Sequence, residues 1–258
     1  MKFGYQLYSA LALCKDKAGL VDTLEKIAAM GYDGVEFCDY AGIPAAEMKA
    51  LLTRLHLEGF NTHVNMERWL TDPEGEIRYA VEAGIPCVTI SWVPPEMRNE
   101  KGYTQIKAMV PQLLKWCKQY DVQLMYHNHD FEFVTDADGR YVLDDVLDVD
   151  PELSLELDTF WAFYAGVDPL TYMEGHKDKL KMLHIKDYEK LDGVPQADGA
   201  EAPTFCAIGT GRMDNQSIVD WAKDNGITWV CVDQDNSQIP ELDAAIISIK
   251  SMREMQRK

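Results

Sequence analysis

The sequence has no apolar run long enough to cross a membrane, since a transmembrane helix needs about 20 consecutive apolar residues. Residues 1–5 show no signal-peptide pattern. Basic residues are also scarce: 25 Lys and Arg against 43 Asp and Glu give a formal net charge of −18 at pH 7. A field of that sign repels phosphate backbones and anionic lipid surfaces. We therefore expect a cytoplasmic protein that binds neither nucleic acid nor membranes.

Paired cysteines and a dinucleotide-binding loop are missing too. The six cysteines include no CxxC pair, which favours reduced, buried thiols over a disulfide framework. No GxGxxG motif follows the first apolar run. A dinucleotide-binding open sheet is thereby disfavoured, because that motif forms its phosphate-binding turn.

What the chain does contain is a regular alternation of short apolar strands and amphipathic helices. The predicted strands are 2–7, 34–38, 60–64, 87–92, 122–126, 153–158, 180–185 and 228–233. The predicted helices are 18–30, 44–58, 73–83, 104–120, 216–225 and 241–255, and Gly31, Gly59, Gly84 and Gly226 are expected to end four of them. The pattern predicts an α/β fold, a single (β/α)8 TIM barrel domain over residues 1–258, with an open doubly wound sheet as the alternative.

Polar or aromatic side chains stand at the carboxyl end of almost every predicted strand. Active sites of TIM barrels lie at that end, where the side chains from different strands converge. The residues at or just beyond these ends are Gln6, Glu36, His63, Trp92, His127, His129, Asp158, His184 and Asp233. We expect the functional site to be built from this set.

Four of these residues come from four consecutive strands and have the donor atoms of a metal site: His127, Asp158, His184 and Asp233. Two imidazoles and two carboxylates suit a divalent ion such as Mn, Zn, Co or Fe. Each residue also has a structural alternative, because a histidine at a strand end can be a hydrogen-bonded core residue and Asp158 can cap the next helix. We expect a divalent metal cofactor.

Three further residues are expected near this set. Lys186 shares a strand face with His184, so its ammonium group could stabilise an enolate oxygen or bind an anionic group, or simply form a surface salt bridge. Arg212 follows two glycines that allow close approach of a ligand to the backbone. Trp161 could form an apolar wall for a sugar ring or pack in the core.

The motifs along the whole chain resemble those of the sugar phosphate isomerase/epimerase family, whose fold is the xylose isomerase-like TIM barrel. The matching segments are GYQLY at 4–8, MGYDGVE at 30–36, HNH at 127–129 with EF at 132–133, LELDT at 155–159 with Trp161, HIKD at 184–187, GTG at 209–211 and VDQD at 232–235. The resemblance implies a metal held by Glu, Asp, His and Glu at the ends of strands five to eight. Asp158 and His184 match that set, whereas His127 and Asp233 replace its two glutamates.

The family resemblance implies a metal-dependent isomerase or epimerase acting on a sugar, a sugar phosphate or a keto-sugar. The reaction would remove a proton α to a metal-polarised carbonyl. Asp233, His129 and Glu132 are the candidate bases, and Lys186 would lie near the enolate oxygen. The expected substrate contacts are Glu36, His63, Trp92, Trp161 and Arg212.

Three other functions remain open. The altered base set also allows elimination, which would make the protein a metal-dependent dehydratase or lyase acting on keto-sugars or their glycosides. An abasic-site endonuclease is disfavoured by the net charge and by a histidine inventory too small for a three-metal site. A barrel without the two glutamates could also bind a sugar without turning it over. A small carbohydrate is the expected partner in each remaining case, and apolar helix faces leave a homo-oligomer possible.

Overall fold

Eight parallel strands form a closed barrel in this computed structural model, which describes residues 1–136, 138–195 and 201–258. The described chain contains ten strands, of which all but β8 and β9 form the barrel: β1 Lys2–Gln6, β2 Gly34–Phe37, β3 Glu58–Val64, β4 Cys87–Ile90, β5 Gln123–His127, β6 Ser154–Asp158, β7 Leu180–Ile185, β8 Asp187–Pro195, β9 Glu201–Cys206 and β10 Trp229–Val232. The order around the barrel is β1-β10-β7-β6-β5-β4-β3-β2, and the parallel pairing of β1 with β10 closes it. The predicted (β/α)8 TIM barrel is confirmed.

Helices surround the barrel. They are α1 Lys17–Met30, α2 Ala45–Leu55, α3 Met66–Thr71, α4 Pro73–Ala83, α5 Glu100–Tyr120, α6 Val142–Leu147, α7 Thr159–Tyr164, α8 Pro169–Gly175, α9 Asn215–Asp224 and α10 Glu241–Arg257. Segments of 3-10 helix cover Leu7–Leu13, Pro95–Met97 and Asp130–Phe133. In the part of the chain that is described, no helix is both long and apolar enough to span a bilayer.

The helix ends follow local chemistry, and one of them corrects the sequence prediction. α1 begins at the cap Asp16 and ends at Gly31, whose φ of 91° is left-handed as predicted. α2, by contrast, ends at Leu55 and not near residue 58, because His56 takes the left-handed conformation with φ 55°. Gly59 lies inside β3, where a Cβ atom would be 2.9 Å from Leu52 Cδ1.

The antiparallel hairpin β8–β9 was not predicted from the sequence. It follows β7 directly, at the carboxyl end of the barrel. Tyr188 and Phe205 of the hairpin are buried against Phe160 of α7, with ring centroids 5.6 and 4.9 Å from it. The hairpin is therefore packed on the carboxyl end of the barrel.

The barrel interior is divided into layers along its axis. The floor is apolar and consists of Phe60, Cys87, Met125, Met182, Trp229 and Cys231. Phe60 stacks on Trp229 with ring centroids 4.2 Å apart. Because side chains alternate along a strand, the next inward positions towards the carboxyl ends belong to Glu156 on β6 and His184 on β7. The apolar floor thus closes the barrel beneath a polar layer.

We predict that Gly4→Ala destabilises the fold by about 1–3 kcal/mol, the usual cost of overpacking a core. A Cβ at Gly4 would lie 2.3 Å from Phe60 Cε1, and the stacking on Trp229 prevents the ring from moving aside. Gly175→Ala in α8 is the matched control, since its Cβ would meet nothing within 4 Å. Urea unfolding of both variants measures the difference. Equal midpoints for the two variants would contradict this description of the barrel floor.

Candidate active site

Two layers of ionisable side chains lie above the apolar floor. The lower layer contains Glu36, His63, His127, Glu156 and His184, and the upper layer contains Asp158, Lys186 and Asp233. All of them are buried except His63, whose side chain is 11% exposed. Charged groups are seldom buried this completely unless they are paired, because they lose their hydration.

Hydrogen bonds hold the lower layer in place. The Asn61 side-chain amide donates to Glu36 Oε1 at 2.5 Å and to Glu156 Oε1 at 3.0 Å, so that one residue links the two carboxylates. Gln6 donates to Glu36 from the other side. His63 Nε2 lies 2.6 Å from Glu156 Oε2 in hydrogen-bonding geometry. The two buried carboxylates are therefore fixed at short range from each other.

The charges of the lower layer depend on one another. Burial and the nearby Glu156 raise the pKa of Glu36. Burial would lower the pKa of His63 and of His184, but Glu36 and Glu156 outweigh it and raise both values, that of His184 strongly. Burial lowers the pKa of His127 to about 4. His127 is therefore neutral at neutral pH, the form in which an imidazole binds a metal or accepts a proton.

The upper layer is organised around Lys186. Its Nζ lies 3.0 Å from Asp158 Oδ2 and 3.3 Å from Asp235 Oδ1, and it contacts Asp233 Oδ2 directly. Burial would lower the pKa of Lys186, but these carboxylates hold it well above its ordinary value. Lys186 is 1% exposed, so the alternative of a surface salt bridge does not apply. It is the central cation of a buried cluster.

The remaining atoms of Asp233 are also engaged. Ser9 Oγ donates to Asp233 Oδ1 at 3.1 Å, and His184 Nδ1 lies 3.2 Å from Asp233 Oδ2. Burial would raise the pKa of Asp233, but Lys186 and His184 hold it well below its usual range. Asp233 is therefore ionised across the neutral range.

The four predicted metal ligands converge in part. One ligand atom each from Asp158, His184 and Asp233 lies within 4.8 Å of the others, and His127 Nε2 is 3.9 Å from Asp158 Oδ2. Asp158 Oδ1 accepts a hydrogen bond from Trp161 N at 3.0 Å, so Asp158 also caps α7, as the structural alternative predicted. The donor types fit a divalent ion, which would share both carboxylates with the Lys186 ammonium.

His129 lies next to these groups in an aromatic setting. Its ring is stacked with Phe131 at a centroid distance of 5.1 Å and lies 5.7 Å from Trp161. Within the described part of the chain, His129 Nδ1 and Trp161 Nε1 are buried without a hydrogen-bond partner. Burial holds the pKa of His129 well below its ordinary value. A neutral imidazole and an indole N–H are thus available to a ligand.

Glu132 is placed differently from the predicted base. It is fully buried and accepts hydrogen bonds from Tyr126 Oη at 3.0 Å and from His129 N at 2.7 Å. It caps the 3-10 turn Asp130–Phe133. Burial raises the pKa of Glu132 to about 8. This placement favours a role in positioning His129 and does not favour the predicted role as a base.

Two of the predicted substrate contacts lie at opposite depths. Glu36 is fully buried among Gln6, Asn61 and the histidines, which does not favour direct contact with a substrate. Trp92 lies beyond the end of β4, 42% exposed, with the Arg98 guanidinium 5.2 Å from its ring centroid. Trp92 is therefore a rim residue.

The glycine loop before Arg212 binds a side chain of the protein itself. Asp187 Oδ2 accepts hydrogen bonds from the N–H groups of Gly209 and Gly211, both at 2.9 Å, and Asp187 Oδ1 accepts one from Met213 N at 3.0 Å. A Cβ at Gly211 would lie 2.2 Å from Asp187 Oδ1. The loop is thus anchored to the hairpin, and Arg212 is held exposed beside it.

Glu156, Asn61 and Asp235 belong to the site but were not proposed from the sequence. Glu156 and Asn61 stand two positions before Asp158 and His63, so period-two alternation places each pair on the same strand face. A polar residue at that position in an otherwise apolar strand is the signal that could have identified both. Asp235 lies beyond β10, where strand alternation no longer applies.

Comparison with known proteins now assigns the fold to a family. The family model described as xylose isomerase-like TIM barrel matches residues 24–255, and the chain belongs to that family. No curated protein matches the sequence at a significant level.

Solved structures give the same fold at low sequence identity. A sugar phosphate isomerase/epimerase from Parabacteroides distasonis superposes with a TM-score of 0.77 at 21% identity, covering 97% of each chain. The IolI protein with a bound zinc atom gives 0.73 at 16% identity, covering 99% of this chain and 98% of that one. A xylose isomerase-like protein from Mycobacterium smegmatis in complex with magnesium gives 0.73 at 15%, covering 99% and 97%.

We predict that Glu132→Gln makes the protein less sensitive to alkaline pH. The pKa of about 8 in the folded state exceeds the ordinary value of 4.5. At a pH between these two values, Glu132 therefore keeps its proton in the folded state and has lost it in the unfolded state. Wild-type stability therefore falls as pH rises from 5 to 8, and glutamine removes this loss. As pH rises from 5 to 8, the unfolding free energy of Glu132→Gln should therefore gain on that of the wild type by on the order of 1 kcal/mol per pH unit.

Urea unfolding at pH 5, 6, 7 and 8 measures this difference. Glu82→Gln, which alters an exposed carboxylate on α4, is the control and should show no such trend. A difference between wild type and Glu132→Gln that stays constant with pH would show that Glu132 is not protonated in the folded state.

Proposed function

We propose that the chain is a metal-dependent isomerase or epimerase of a sugar or keto-sugar, working by removal of the proton α to a carbonyl group. The observation that carries the proposal is the buried cluster of Asp158, His184, Lys186 and Asp233 at the carboxyl ends of the barrel strands. Ionisable groups with strongly shifted pKa values concentrate at functional sites. Membership of the xylose isomerase-like family supports the same reading.

We assign the metal to His127, Asp158, His184 and Asp233. Three of these offer ligand atoms within 4.8 Å of one another, and the chemistry of the set suits a divalent transition metal. A metal ion bound there would act as a Lewis acid on a substrate oxygen. The protein's own contribution is to hold the sugar, the base and the ammonium group in fixed positions around that oxygen.

His129 is the residue we assign as the base. Both oxygens of Asp233 are engaged, Oδ1 by Ser9 and Oδ2 by Lys186 and His184, and the carboxylate is strongly stabilised in its ionised form. His129, by comparison, is neutral and has a nitrogen without a partner among the described residues. It can take the proton from the carbon next to the carbonyl. Glu132 keeps it in place through the hydrogen bond to His129 N.

Lys186 is assigned to the oxygen that becomes negative as the proton leaves. Its ammonium group is buried, permanently charged and pre-positioned by Asp158, Asp233 and Asp235. A fixed cation in a site that excludes water stabilises a developing oxyanion without reorganisation during the reaction. The enediolate can then be reprotonated at either carbon or on either face, which gives isomerisation or epimerisation.

The charge of the site favours an uncharged sugar over a sugar phosphate. Carboxylates surround Lys186 and outnumber it, which leaves little positive field for a phosphate group. At the rim, Trp161 and Trp92 offer aromatic surface for a sugar ring, and Arg212 is exposed. We assign these three residues to substrate binding. His63, another expected substrate contact, lies in the lower layer, where its Nε2 faces Glu156.

We predict that the protein loaded with Mn²⁺, Zn²⁺ or Co²⁺ interconverts at least one ketose or keto-glycoside in a panel followed by NMR. His129→Gln should lower kcat by about 10²–10⁴-fold, the usual contribution of a general base. Lys186→Met should lower kcat by about 10²–10³-fold, as loss of one oxyanion donor does.

Two matched variants control this experiment. Lys181→Met removes an exposed lysine from β7. His56→Asn removes an exposed histidine, and asparagine tolerates the left-handed backbone conformation at that position. Both should keep wild-type rates. Loss of water or of the aglycone without isomerised product would instead identify a dehydratase or lyase, and no turnover of any sugar would contradict the proposed function.

A further inference from the structure

We propose that the lower layer forms a metal site of its own, with His63, His127, Glu156 and His184 as ligands and Zn²⁺ or a similar borderline ion as its occupant. One ligand atom from each of these four residues lies within 4.8 Å of the other three. The site lies beneath the set of Asp158 and Asp233 and is distinguished from it by His63 and Glu156.

The distances around Glu156 suit a small tetrahedral ion. Ligand atoms on such a zinc ion lie about 3.3–3.4 Å apart, because each is about 2.0–2.1 Å from the metal. Glu156 Oε2 is 3.5 Å from His127 Nδ1, close to this spacing. The distance of 3.4 Å to His184 Nε2 is from the other oxygen of the same carboxylate, Oε1. His63 Nε2 is closer, 2.6 Å from Glu156 Oε2, and this distance would lengthen as the ion replaces the hydrogen-bonding proton.

Two of the three ligand nitrogens have no other hydrogen-bond partner in the described chain. Within the described residues, His127 Nδ1 and His184 Nε2 are buried and form no hydrogen bond of normal geometry. His184 Nε2 even lies 2.6 Å from Glu36 Oε2 without meeting the angle of a hydrogen bond. These nitrogen atoms point towards a common space without forming hydrogen bonds there, which is the arrangement expected of ligands that bind one ion.

The charge balance separates this site from the one above it. In the upper layer, the ammonium group of Lys186 already pairs with Asp158 and Asp233. In the described chain, the ion pairs of Glu36 and Glu156 are made with imidazoles alone. Two buried carboxylates without a lysine or arginine therefore need either protonated histidines or a metal cation.

His184 contacts both layers because its two ring nitrogens face different groups, and it would bind an ion in each layer at the same time as an imidazolate, having lost its ring proton. Nδ1 lies 3.2 Å from Asp233 Oδ2, whereas Nε2 faces Glu36 and Glu156. Asn61 holds the lower set from outside by donating to both carboxylates, as the outer partners of metal ligands do.

The ligand set also selects the metal. Three imidazoles and one carboxylate suit Zn²⁺ or Co²⁺ and disfavour Mg²⁺, which prefers oxygen ligands and octahedral geometry. The inference concerns metal binding and does not depend on any turnover of sugar.

The test is the zinc content and zinc affinity of the full-length protein, measured by mass spectrometry and chelator competition. The variants are His63→Ala and Glu156→Gln for the lower set, and Asp158→Asn and Asp233→Asn for the upper set. His56→Asn, which removes an exposed histidine, controls for surface binding. Thermal unfolding verifies that each variant is folded, and His63 is the safer change because its side chain reaches the surface.

We expect the variants His63→Ala and Glu156→Gln to lose one equivalent of zinc or to bind it much more weakly. Loss of an outer partner of a metal ligand lowers affinity by roughly 10–100-fold, and loss of a ligand itself should lower it by more than that. Asp158→Asn and Asp233→Asn should keep that equivalent. The Co²⁺ form should show the intense visible absorption of a tetrahedral site, and His63→Ala should lose it. Wild-type zinc content in both lower-layer variants, or no zinc in the wild type, would overturn the inference. Failure of the proposed sugar chemistry would appear separately, as zinc bound without turnover.

Discussion

The burial of four carboxylates inside the barrel is the constraint on which the rest of the site depends. Glu36, Glu156, Asp158 and Asp233 are 0–5% exposed, and removing a carboxylate from water is costly unless a cation and hydrogen bonds replace its hydration. Lys186 supplies a permanent cation to the upper pair, and imidazoles face the lower pair. A structure that only needed stability would fill this space with apolar side chains, as the floor below does.

The fold converts this constraint into a defined geometry. Parallel strands bring inward-facing residues from successive strands side by side, so that Asp158 and His184 are paired in register, and the tilt of the strands places them in adjacent layers. The apolar floor closes the barrel beneath them, and the hairpin fixed by Asp187 packs at the open end. The buried ionisable groups are thus held by strand ends, whereas the rim is built from loops, the usual arrangement in this fold.

The sequence predicts the barrel and the strand ends well, because both depend on local periodicity. Asp158, His184 and Asp233 were found in this way, and the structure brings them together. For Glu132, sequence proximity to His129 does not reveal that its carboxylate turns back to Tyr126 and the backbone. The hairpin and the meeting of Lys186 with Asp235 depend on contacts between loops, for which no periodic signal exists. Asn61 and Glu156 were visible in the sequence, but only a closed barrel shows that they face the same space.

Hydrogen exchange at the carbon next to the carbonyl tests the central claim, proton transfer at this site, most directly. The metal-loaded protein is incubated in D₂O with the ketose or keto-glycoside that it converts, and NMR follows the signal of that carbon-bound hydrogen. A side-chain base that removes the hydrogen as a proton exchanges it with solvent, so deuterium should appear at that carbon in the product and, with time, in recovered substrate. Conversion that leaves all of the original hydrogen on carbon, in the product and in substrate recovered after many turnovers, is the result expected of a direct hydride shift and would contradict the account.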